Sequence, residues 1–217
     1  MRKKERIAAI LLALDEVYGD VGRCYLNYDA QKSWQLLLAT ILSAQCTDDR
    51  VNIVTLSLFE KYQTLQDFAS APIEALEDAV RSTGFYRNKA LALQGCAHMI
   101  LHEHGGNLPS SIEDLTAMPG VGRKTANVVR SHIFNIPSIV VDTHVNRVTN
   151  RLGIEAETDP EKLERALMRT LPKQHWIRYN TQLIAHGRKI CKARGPVCGG
   201  CFLGVLCKRF GVLNTGS

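Results

Sequence analysis

The sequence predicts an all-α protein, and three observations predict it. Apolar residues recur at helical spacing along nearly the whole chain, capping residues followed by glycine or proline punctuate those segments, and the one β-branched run, Ile139 to Val141, stands isolated. With 217 residues, 45% of them apolar, the chain can bury one large core or two modest ones, which excludes a disordered or fibrous protein. Lysine and arginine outnumber aspartate and glutamate by 27 to 21, a net charge of +6, which suits a polyanionic partner without requiring one.

At the N-terminus, Asp15 and Glu16 cut a short apolar run that begins at Ile7, and no small-residue cleavage site follows, so it does not read as a secretion signal. Ile7, Ile10, Leu11, Leu14 and Val17 instead mark one face of an amphipathic helix that Gly19 ends. No apolar stretch is long enough to cross a bilayer; the expectation is a cytoplasmic protein with no membrane partner. Trp34 to Leu42 is apolar nearly all round, as suits a central buried helix, and a second helix reaches Tyr62 after a polar break at Ser43 to Asp49. Ile73 to Arg81 has helical spacing behind Ser70-Ala71-Pro72, Gly84 breaks it, and Lys89 to His104 resumes until Gly105 and Gly106. Pro109, Ser110, Ser111 and Glu113 read as a capping-box start for a short helix to Ala117, and Arg123 to about Phe134 forms its partner. Ile139 to Val141 reads as a buried extended link, followed by helices at His144 to Leu152 and Pro160 to Leu171, and Gln182 to Lys192 leads into a group of cysteines.

Chemistry concentrates from Leu115 to Asp142, around the turn MPGVGRKTA at Met118 to Ala126. Gly120 and Gly122 admit positive φ and the close approach of another backbone. Around Val121 and Arg123 the turn opens a helix whose first amides point outward at the positive dipole end, a ready phosphate site. Lys124, in that first turn, is either a surface lysine or a nucleophile beside a sugar-phosphate backbone. As a nucleophile it must be neutral, so a pKa near 10.4 must fall by about three units, or about 4 kcal/mol. The helix N-terminus supplies only about 0.3 to 1 kcal/mol, and desolvation by bound substrate must supply most of the rest. Asp142 can cap the helix near His144, take up a proton, or stabilise positive charge at a sugar carbon, and these roles are compatible. His144 itself is by default a packed or capping residue.

Of seven cysteines, Cys191, Cys198, Cys201 and Cys207 fall close together with intervals of six, two and five residues. That clustering, without a secretion signal, argues for a metal site in a reducing compartment, and four thiolates suit either a 4Fe-4S cluster or zinc. Cys24, Cys46 and Cys96 read as small packing residues. Lys192 and Arg194 beside the cluster are a solvated surface or a phosphate contact. Ser43 and Gln45, in the break LSAQCTD, belong to a capping turn or to a side chain that enters a duplex. Phe85 and Tyr86, beside Arg87 and Lys89, either pack in the core or wedge between bases.

Together MPGVGRKTA, the VDTHV that carries Asp142, LSAQCTD and the cysteine spacing resemble endonuclease III, the helix-hairpin-helix family of DNA glycosylases with AP lyase activity, over about residues 30 to 210. The resemblance implies two all-α lobes flanking a DNA-binding cleft: a six-helix barrel with the hairpin at residues 24–134, and an iron-sulfur lobe of residues 1–23 and 135–217. It implies base excision repair of oxidised pyrimidines in duplex DNA by a nucleoid-associated monomer, with Lys124 as Schiff-base nucleophile and Asp142 as acidic partner. It further implies a 4Fe-4S cluster on the four cysteines and a monovalent cation on the carbonyls of Thr116, Met118 and Val121. Gln45 would fill the gap left by a flipped nucleotide, and Phe85 stands where bacterial members often have leucine as the opposing wedge. Cys46 replaces a frequent alanine and Asn180 to Gln182 replace aromatic residues, departures that bear on lesion preference and not on the reaction. A monofunctional glycosylase and a non-enzymatic, redox-sensing DNA-binding protein are the alternatives.

Overall fold

The computed structural model describes residues 1–19 and 24–213. Among them every regular element is helical, and the chain divides into two compact units, 24–136 and 1–23 with 137–217.

The first helix, α1 (Lys3–Tyr18), belongs to the terminal unit. The central unit holds α2 (Trp34–Leu42), α3 (Asp48–Lys61), α4 (Leu65–Ser70), α5 (Ile73–Val80), a 3-10 turn at Arg81–Thr83, α6 (Tyr86–His102), α7 (Ile112–Ala117) and α8 (Arg123–His132). Its core forms around α2, which buries every residue from Gln35 to Leu42 and packs against α3, α6 and α8. A helix apolar on all sides is stable only when neighbours cover it all round. Thr47 caps α3, its hydroxyl accepting from the Arg50 amide at 3.3 Å.

Three local features differ from the sequence expectation. Helix α4 is a seventh helix in this unit; a reciprocal capping box, Thr64 Oγ1 accepting from Asp67 N at 3.1 Å and Asp67 Oδ2 from Thr64 N at 2.8 Å, starts a segment too short to show periodicity. Ser111, not Ser110, caps α7, and its partner is Asp114, not Glu113. Helix α6 begins at Tyr86, ahead of Lys89, because Phe85 in the left-handed region (φ 49°) turns the chain directly into it.

The terminal unit joins α1 to α9 (Thr143–Leu152), α10 (Pro160–Thr170) and α11 (Trp176–Lys189) around Ile10, Leu14, Val148, Leu163, Leu167 and Tyr179. The buried stripe of α1 ends on Tyr18, whose ring meets His186 and Phe202 edge-on, while Val17 is 52% exposed and lies outside it. Arg6 is buried and donates to the carbonyls of Leu152 at 2.7 Å, Gly153 at 2.6 Å and Leu206 at 2.9 Å, which anchors α1 to the end of α9 and to the cysteine loop. Helix α11 starts at Trp176, whose indole N-H is held by the Leu171 carbonyl at 3.0 Å. Ile139 and Val140 are buried in extended chain, as expected. Asn180 to Gln182 are buried as well, with Gln182 Nε2 donating to Asp15 Oδ1 and to the Gly19 carbonyl.

Candidate functional site

The turn between α7 and α8 rests on a seat of small residues in α6. A Cβ on Gly95 would lie 2.7 Å from Pro119 Cγ, a Cβ on Gly120 would lie 2.8 Å from Ala92 Cβ, and the Cys96 thiol donates to the Pro119 carbonyl at 3.3 Å. Burial pushes the Cys96 thiol up to about 12. The two turn glycines therefore do different things. Gly120 takes φ +73° and has no room for a side chain, whereas Gly122 sits at φ −89° in extended backbone with nothing near its missing Cβ. The expectation of positive φ at Gly122 is thus corrected: as a side-chain-free cap of α8 it leaves open space in front of the first helical amides. Val121 turns its side chain into the core, so only its backbone faces the turn, and its amide donates to the Met118 carbonyl at 3.2 Å. That carbonyl retains a second lone pair for a cation. Lys124 is exposed in the first turn of α8, and Arg123 precedes it half-buried.

Two other sequence candidates gather at the same turn. Gln45, Phe85 and Gly120 line one surface pocket of about 210 Å³ together with Ile41, Ala44, Asn88, Lys89 and Ala92. Gln45 (φ 53°) and Phe85 (φ 49°) are both exposed non-glycine residues in the left-handed region, a conformation that costs about 1 to 3 kcal/mol and clusters at functional sites. Ser43 turns its hydroxyl back onto the Thr40 carbonyl at 2.8 Å. Tyr86 is half-buried against the core with Arg81 and Arg87 over its ring, so only Phe85 of the aromatic pair projects. Lys89 is no surface cation: it is 5% exposed and donates to the carbonyls of Leu42 and Thr83.

In the terminal unit Asp142 caps α9, its Oδ1 accepting from the amides of His144 and Val145, each at 2.8 Å. Its other carboxylate oxygen has no hydrogen-bond partner among the described residues. His144 Nδ1 meets Arg147 Nη2 at 3.1 Å; a Cβ on Gly187 would fall 2.8 Å from that same nitrogen, so the glycine lets α11 approach α9.

Cys191, Cys198, Cys201 and Cys207 line one small cavity, walled mainly by Val148, Leu152, Ile190, Val197 and Val212 and bordered by Arg151, His186 and Arg209. Among the described residues no three ligating side chains converge on one ion. Zinc holds thiolates at about 2.3 Å and so draws the four sulfurs to within about 4 Å of each other, whereas a four-iron cube takes each thiolate at a separate corner. Four thiols around one cavity supply the all-sulfur donor set that either group takes. Arg151 ties the loop down by donating to the carbonyls of Lys192 at 2.6 Å and Ala193 at 3.0 Å, which leaves Lys192 and Arg194 exposed. The buried His186, missed in the sequence, places Nε2 3.6 Å from Cys201 Sγ while Nδ1 meets the Tyr18 hydroxyl at 3.0 Å.

The chain matches the model of the HhH-GPD superfamily base excision DNA repair proteins over residues 38–173. It is 47% identical to the endonuclease III of Synechocystis sp. across 206 residues, covering 94% of this chain and 93% of the relative. It is also 47% identical to that of Bacillus subtilis across 176 residues, 81% and 80% of the two chains. A solved non-covalent endonuclease III-DNA complex superposes with a TM-score of 0.89 at 42% identity, covering 96% of this chain and 97% of the other. A trapped endonuclease III-DNA covalent intermediate gives the same TM-score, 0.89. A thermostable thymine-DNA glycosylase at 21% identity shares the fold, with a TM-score of 0.81. The chain belongs to the HhH-GPD superfamily of base excision DNA repair proteins and, within it, to the endonuclease III family.

Proposed function

We propose that the protein is a bifunctional DNA glycosylase and AP lyase that removes oxidised pyrimidines from duplex DNA and then breaks the strand at the abasic site. The observation that carries this reading is the exposed Lys124 in the first turn of a helix whose N-cap, Gly122, makes no side-chain cap hydrogen bond and has open space where a Cβ would stand. It agrees with the relative trapped as a covalent intermediate with DNA.

A base inside the stack cannot be reached, so the damaged nucleotide must leave the duplex. The amides of Gly120 and Gly122, with Val121 and Arg123 beside them, hold a backbone phosphate and set Lys124 at the sugar. Gln45 fills the gap, Phe85 enters from the other strand, and Ser43, Tyr86, His144, Lys192 and Arg194 contact the DNA around it. The neutral Lys124 amine bonds to C1′ as the glycosidic bond breaks, and the base departs with its electron pair and takes a proton from solvent. Asp142, through its free carboxylate oxygen, stabilises positive charge at C1′ and accepts the amine proton. Ring opening leaves an imine between Nζ and C1′. Loss of a proton from C2′ then expels the phosphate at C3′, and hydrolysis frees the lysine.

Residues 24–134 are the barrel that carries the hairpin. Residues 1–23 and 135–217 are the cluster domain, with Cys191, Cys198, Cys201 and Cys207 holding a 4Fe-4S cluster. When bound, the cluster supplies rigid ties across the loop that displays Lys192 and Arg194. Thr116, Met118 and Val121 offer carbonyls to a monovalent cation. The working enzyme is a cytoplasmic, nucleoid-associated monomer whose partner is duplex DNA with damaged pyrimidines or abasic sites.

Borohydride reduction tests the reaction. The native protein should give a covalent complex with abasic duplex DNA, and Lys124→Ala should give none. Base release without strand cleavage would instead mark a monofunctional glycosylase, and binding with neither would mark a non-enzymatic DNA-binding protein.

A further inference from the structure

The central unit contains a buried cation that the proposed chemistry does not use. Lys89, on the first turn of α6, is 5% exposed, and its ammonium donates to the carbonyl of Leu42 at 2.8 Å and to that of Thr83 at 2.7 Å. These carbonyls close two separate elements, α2 and the 3-10 turn at Arg81–Thr83, and neither accepts a backbone N-H among the described residues. Each lies just ahead of an exposed residue in the left-handed region: Gln45 follows Leu42 by three positions and Phe85 follows Thr83 by two.

We infer that Lys89 is a positioning residue for duplex probing, one ammonium that ties the Gln45 and Phe85 turns together and so sets the gap between the two projecting side chains. The inference rests on the proposed reading of Gln45 and Phe85 as the residues that enter the base stack.

Three physical points support it. The two carbonyls stand at the ends of a helix and a helical turn, where the backbone dipole favours a cation. A buried charge is costly unless its hydrogen bonds are made, and burial does push the Lys89 pKa down, so the ammonium is retained against that cost for what it joins. The joint also stands at the functional surface, since Lys89 lines the same pocket as Gln45, Phe85 and Gly120.

A double-mutant cycle tests the idea, with kcat/KM measured on a duplex carrying thymine glycol. Lys89→Met in the native protein should lower kcat/KM by at least about tenfold, and in a Gln45→Ala, Phe85→Ala background by less than about twofold, because the side chains it positions are already gone. An equal loss in both backgrounds would show a general packing role and overturn the inference. A harmless Lys89→Met beside a damaging Gln45→Ala, Phe85→Ala pair would also overturn it, while leaving the reading of the two probes intact. If that pair costs nothing on the duplex, the reading of the probes fails and the inference fails with it. Should circular dichroism show Lys89→Met unfolded, Lys89→Gln, which keeps an N-H donor without the charge, runs the same cycle and is judged by the same outcomes.

Discussion

Substituting alanine for each of the two turn glycines separates conformation from function. At Gly120 a new methyl would stand 2.8 Å from Ala92 Cβ and 3.6 Å from Ile41 Cγ2, and the backbone would remain at φ +73°. The left-handed conformation costs a residue with a Cβ about 1 to 2 kcal/mol. Overpacking adds about 1 to 3 kcal/mol, and Ala92 has no rotamer with which to yield. A loss of about 3 kcal/mol follows, or roughly 6 to 12 °C in Tm for a chain of this size. At Gly122 the backbone is extended and the missing Cβ meets nothing, so the stability change stays within about 1 kcal/mol. A methyl there instead holds a phosphate off the α8 amides. The charge-assisted hydrogen bonds lost are worth about 1.5 to 3 kcal/mol, or about 10 to 150-fold in Kd. Thermal unfolding by circular dichroism and anisotropy titration of a labelled abasic duplex measure the two effects. If Gly122→Ala melts as early as Gly120→Ala, or Gly120→Ala melts within about 2 °C of the native protein, the packing argument is wrong.

Three further outcomes are expected. Arg6→Ala leaves three carbonyls without their buried donor and should cost about 3 kcal/mol, read as a lower urea midpoint. Cys96, held near 12 by burial against an unfolded value of 9.0, keeps its proton in the fold while the unfolded chain releases it; its contribution is therefore complete below pH 9 and declines as pH rises toward 12. About 1.4 kcal/mol should be gone by pH 10, and Cys96→Ala should abolish that part of the slope, as unfolding free energies at pH 8 and 10 will show. Cys198→Ser should abolish broad absorbance near about 400 nm and lower the iron content, whereas zinc bound to the native protein would refute the cluster.

Much of the local architecture was legible because its causes are local. The buried α2, the Asp142 cap and the stop at Gly19 each follow from residues within one or two turns of one another. Helix α4 escaped because six residues cannot display a period, although its Thr64-Asp67 pair was there to be read. Val17 was misplaced for another reason: helical spacing identifies an apolar stripe, but which residue at its edge is covered depends on the neighbouring element.

The sequence by itself determined the all-α class, the hairpin with Lys124 at its helix start, and the grouping of four cysteines, since each depends on spacing along a short stretch. Only the tertiary structure decided that Gly120 and Gly122 serve different ends, that Gln45, Phe85 and Gly120 share a pocket, and that Lys89 faces inward. The physical reason is that those properties belong to contacts across the fold: Gly120 is constrained by Ala92 on another helix, and Lys89 finds one of its two acceptors 47 residues away.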